Sequence, residues 1–100
     1  MEEYKKFLYL CSVSDFPCVP SLAIDEAWHL HILRTTNYAQ MCQQVFGKFL
    51  HHAPTRSAQD QKLLEEQFER TLQAYEKTFG KSAPPQAWKE KGNGICCSEL

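Results

Sequence analysis

The run Ser21–Pro54, SLAIDEAWHLHILRTTNYAQMCQQVFGKFLHHAP, reads as two helices with their own start and stop signals. Pro17 and Pro20 precede it, and neither can continue a helical hydrogen-bond ladder, so a new element has to start here. Ser21 is a good N-cap, and Asp25 and Glu26 suit the early turns of a helix running to about Leu33. Thr35 or Thr36 can cap the next helix, in which Tyr38, Met41, Cys42 and Val45 make one face and Gly47 supplies the C-terminal stop.

Outward from that run the same periodicity continues. Tyr4, Phe7, Leu8, Leu10 and Cys11 recur at helical spacing over residues 2–13. Beyond the histidines, Ser57 can cap the longest helix, which ends near Gly80. Leu64, Phe68, Leu72, Tyr75 and Phe79 form its apolar stripe, while Glu65, Glu66, Glu69, Arg70 and Lys77 occupy the wet side. No strand alternation, internal repeat or low-complexity block is visible. The expected fold is therefore all-α, a small bundle of four main helices. Residues 1–80 form one domain on this reading. Residues 81–100 form a Pro- and Gly-punctuated tail in which Ala87-Trp88 folds back and Gly92-Asn93-Gly94 is mobile.

Size and charge narrow the function classes. One hundred residues build one modest core. Eleven Lys and Arg against twelve Asp and Glu give a net charge of -1. Nucleic acid is then not an expected partner, because displacing counterions from phosphates needs a basic face. A charged membrane surface is disfavoured for the same reason. The apolar run Phe7–Val13 is too short, and its lead too acidic, for a secretory signal or a membrane span. The expected location is cytoplasmic. Five cysteines without an export signal agree, since they argue for reduced thiols.

All four histidines fall between Ile24 and Pro54. At 100° per residue Asp25 and His29 share a helix face, whereas His31 points almost the opposite way. Asp25 and His29 either contribute to one metal ion, or Asp25 orients the imidazole, or the two form an exposed helix pair. His31 sits among apolar neighbours, where a histidine with one or two hydrogen-bond partners is stably buried. His51 and His52 follow a helix end. Adjacent residues in extended chain point to opposite sides, so one of them faces inward. Cys42 belongs to an apolar face and fits the core better than a ligand role.

Val19-Pro20, Ile24-Asp25, Trp28-His29-Leu30-His31, Leu33, Tyr38, Cys42, Phe46-Gly47, Leu50 and a histidine shortly before Pro54 together resemble the glycine-rich domain-containing protein-like family, found in plants, fungi and bacteria. The resemblance covers roughly residues 4–80, and the chain looks like a short stand-alone bacterial form without the long glycine-rich extension. It implies no enzymatic activity. It does mark Asp25, Trp28, His29, His31, Tyr38, Cys42, Gly47 and one of His51 and His52 as motif positions. Burying such polar groups without partners costs on the order of 1–3 kcal/mol each, so the set points to a metal or polar site.

Two functions follow. The first is a small metal-binding domain, zinc favoured, using Asp25, His29 and His51 or His52, with His31 and Cys42 as second choices. Three protein ligands and a water would make hydrolysis conceivable, with His31 a proton carrier, yet no catalytic residue is assigned. The second is a non-catalytic module in which the WHxH residues form a structural polar core and the outer surface binds a protein partner. No nucleophile-base set, phosphate loop or dinucleotide fingerprint is present.

Overall fold

The computed structural model describes residues 2–54, 58–92 and 94–97. The elements are α1 (Glu2–Val13), α2 (Leu22–Ile32), α3 (Thr35–Phe46), β1 (His51–Pro54), α4 (Ala58–Phe79) and β2 (Gly94–Cys97). The four helices form the expected all-α bundle. Phe7, Leu10, Ile24, Trp28, Tyr38, Leu50, Leu64 and Tyr75 are completely buried, so every helix and the approach to β1 contribute to one core.

The boundaries have identifiable causes. The Ser21 side chain accepts from the Ile24 N–H and starts α2. The α2–α3 turn is tighter than either threonine cap requires. The Arg34 N–H donates to His31 O, and Arg34 O accepts from the Tyr38 N–H. Arg34 is therefore the N-cap of α3, without a side-chain cap bond, and Thr35 is already helical. Gly47 closes α3 in the left-handed region at φ 72°, a conformation that glycine adopts at little cost. Ser57, the expected cap of α4, lies outside the described residues.

One small ladder was not anticipated. β1 and β2 pair antiparallel, with His52 opposite Cys96 and His51 opposite Cys97. Strands this short, composed of HHAP and GICC, carry no legible alternation.

The segment after α4 returns to the bundle as expected at Trp88, which is buried against Phe7, Phe68 and Tyr75. On either side of Trp88 it runs along the start of α2. Ser21 Oγ donates to Ala87 O at 2.6 Å, the Leu22 N–H to Glu90 O at 2.6 Å, and the Gly92 N–H to Pro20 O at 2.8 Å. Leu22 is the first residue of α2, so Glu90 satisfies a backbone donor that the helix leaves open. Where Trp88 meets α1 and α4, the Glu3 carboxylate accepts from Tyr75 Oη–H at 2.8 Å and from Trp88 Nε1–H at 3.1 Å. Burial acts to raise the Glu3 pKa. The Tyr75 and Trp88 hydrogen bonds together with Lys6 outweigh it and hold the carboxyl below its ordinary range.

Candidate metal centre

Asp25 sits in the first turn of α2 and His29 one turn later, which puts both on one face. β1 delivers His52 to the same point. The Nε2 of His52 lies 2.6 Å from Asp25 Oδ1 and 3.0 Å from His29 Nε2, and the His29 Nε2 lies 3.8 Å from the same Asp25 oxygen. Among the described residues, these three form a group of donors close enough to share one ion. The Asp25 and His52 side chains are 7% and 9% exposed, whereas His29 is 55% exposed, so the group has a buried floor and one open side.

Proton counting makes this arrangement informative. His52 Nε2 carries at most one hydrogen. If it donates to Asp25, it has no lone pair left to accept from His29, and the 3.0 Å nitrogen–nitrogen contact is satisfied only when His29 turns its own lone pair toward that proton. A single proton on His52 Nε2 is then shared between two acceptors, Asp25 Oδ1 and His29 Nε2. A tetrahedral ion with ligands at about 2.0–2.1 Å separates them by roughly 3.3–3.4 Å. The observed separations of 2.6, 3.0 and 3.8 Å bracket that value.

The position of His52 is set by a buried polar chain that the sequence reading did not find. Trp28 Nε1–H donates to Tyr38 Oη at 2.9 Å, and Tyr38 Oη–H donates to Leu50 O at 2.6 Å, fixing the backbone two residues before His52. Burial pushes the Tyr38 phenol well above its ordinary pKa, which keeps the donated proton in place. The His52 and Trp28 rings then stand T-shaped to one another, with centroids 4.5 Å apart. Both aromatic residues were legible as core, and their polar ends, ten positions apart, were the available signal. Behind Asp25 lies Gly92, where a Cβ would come within 2.9 Å of Asp25 Cβ and 3.2 Å of Ser21 O. Glycine is required there for close approach.

The other candidate residues lie elsewhere. His51 alternates away from His52 and packs on Phe49 at 4.7 Å. Cys42 is completely buried within the hydrophobic core. His31 is half-buried on the far side of α2, with Nδ1 2.8 Å from Tyr4 Oη and Nε2 3.0 Å from Asn37 Oδ1.

The fold and this group define a small helical domain with a carboxylate–bis-imidazole cluster at the junction of a helix and a short strand. The chain belongs to the UCP032817-like family, whose profile matches residues 1–80. It is similar to glycine-rich domain-containing protein 2 of Arabidopsis thaliana, at 35% identity over 97 residues, 90% of this chain and 12% of that protein. It is likewise similar to glycine-rich domain-containing protein 1 of the same plant, at 37% identity over 84 residues, 77% of this chain and 10% of that protein. The chain thus spans about a tenth of the length of these curated relatives. No solved structure matches it. No helix among the described residues is long and apolar enough to cross a membrane.

Proposed function

We propose that this domain binds one divalent transition-metal ion, zinc by preference, through Asp25 Oδ1, His29 Nε2 and His52 Nε2. The convergence of these three atoms carries the reading, because their separations suit a four-coordinate ion. Two imidazoles and a carboxylate are a zinc-compatible donor set, and the exposed side at His29 leaves room for a water or a further donor. The ion would join α2 to β1, segments distant in sequence, and so add stability to the fold. Among the described residues, the buried thiols of Cys11, Cys18 and Cys42 form no disulfide, which fits a reducing, cytoplasmic setting.

The alternative, a purely structural polar core serving a protein-binding surface, accounts less well for His29, which is mostly exposed. A protein contact remains compatible with metal binding, and Leu30, Leu33 and Val45 offer exposed apolar side chains for one.

The test is elemental analysis of protein purified without chelator, followed by Co²⁺ substitution and thermal melts with and without EDTA. Near-stoichiometric zinc, an intense tetrahedral Co²⁺ absorption band and a melting point lowered by chelator support the reading. Metal-free protein that takes up no Co²⁺ and melts identically in EDTA overturns it.

A further inference from the structure

The second histidine of WHxH takes no part in the metal cluster. It lines a cleft of about 610 Å³ between α1 and the α2–α3 turn. That volume falls within the range of small-molecule sites. Asn37 Oδ1 can only accept, so His31 Nε2 carries the proton toward it, and Nδ1 accepts from the Tyr4 hydroxyl. This fixes the imidazole and leaves the Asn37 amide N–H groups free to donate.

Three further features select the charge of a ligand. Lys5 and Arg34 line the cleft and, among the described residues, no carboxylate does. Neither cation is paired with a carboxylate among the described residues. Arg34 is also the N-cap of α3 and Asn37 lies in that helix's first turn, where no side chain caps the open backbone donors. Helix N-termini carry partial positive charge, so fixed and mobile charges agree in sign. Leu8, Leu30 and Met41 supply an apolar wall beside them.

We infer that this cleft binds a small organic carboxylate with an apolar body. The carboxylate pairs with Lys5 and Arg34 at the start of α3, and the apolar part lies along Leu8 and Leu30. The site is independent of the metal centre, since it shares no residue with it.

The experiment is a two-dimensional amide NMR titration of the full chain with hexanoate, run in parallel with hexanamide and with inorganic phosphate. Saturable shifts confined to α1 and the α2–α3 turn, at least tenfold weaker in a Lys5→Ala/Arg34→Ala double variant and absent with hexanamide, support the proposal. Both substituted residues are exposed, so the variant keeps its fold, which its amide spectrum verifies. Three results overturn it: no saturable shift with hexanoate, equal binding of hexanamide, or phosphate binding as tightly as hexanoate.

Discussion

His52 Nε2 stands 2.6 Å from Asp25 Oδ1 across 27 positions of chain, and the Asp25 carboxylate is almost completely enclosed. A buried carboxylate that loses its partner keeps its desolvation cost, so the pair matters to the fold even without an ion. His52→Ala is expected to destabilise the metal-free protein by about 1–3 kcal/mol and to abolish stoichiometric metal uptake. His51→Ala, whose ring faces Phe49 instead, should leave metal uptake intact. Denaturant titration and elemental analysis of both variants check the pair; equal metal loss in the two would remove His52 from its special role.

Tyr38 acts on the cluster without touching it. Tyr38→Phe leaves Trp28 Nε1–H and Leu50 O without their buried partner. The expected cost is about 1–3 kcal/mol of stability. Metal affinity should also fall by roughly tenfold or more, as it does when groups orienting a ligand are removed. Competition against a chromophoric chelator measures the second effect apart from the first.

Gly92→Ala drives a methyl group into Asp25 Cβ and the Ser21 carbonyl. Overpacking of this kind typically costs about 1–3 kcal/mol. The same methyl displaces the carboxylate, so Co²⁺ absorption should weaken or change shape. Gly80→Ala is a useful contrast: nothing lies within 4 Å of the added Cβ, and its cost arises from the left-handed backbone at φ 76° alone. Its Co²⁺ spectrum should match that of the parent.

Glu3 gives the fold a pH dependence of definite sign. Its folded-state pKa is depressed, so it contributes stability at neutral pH, and that contribution is lost as pH falls through the carboxylate range. Glu3→Gln should flatten the acid limb of stability below about pH 5 relative to the parent. Melts between pH 3 and about 7, followed by tryptophan emission, give the slope; parallel slopes would show that other carboxylates dominate.

Much of the helical frame could be read from the chain. The periodicity of Tyr4, Phe7, Leu8 and Leu10, the Ser21 cap and the Gly47 stop are local signals, and local signals predict local structure. Family membership was legible in the spacing of WHxH from Tyr38, Cys42 and Phe46-Gly47. What escaped was non-local. Which of His51 and His52 turns toward Asp25 follows from the Tyr38 bond to Leu50 O, which fixes the chain as it enters β1, and β1 in turn pairs with β2 from the end of the chain. The Glu3–Tyr75–Trp88 cluster likewise joins α1, α4 and the tail, and no periodicity within any one segment announces it. Asp25 and His29 needed only helical geometry; their third companion needed the whole fold.

Trp28 stands T-shaped to His52 and also touches Phe7 and Tyr38, with no exposed surface of its own. The imidazole therefore inherits its position from the interior of the bundle. Phe7 lies outside the donor set, yet trimming it to leucine would give the indole room to tilt and the imidazole room to follow. If the three donors hold an ion as proposed, variation in its affinity should accordingly track residues deep in the interior, with the donors themselves unchanged.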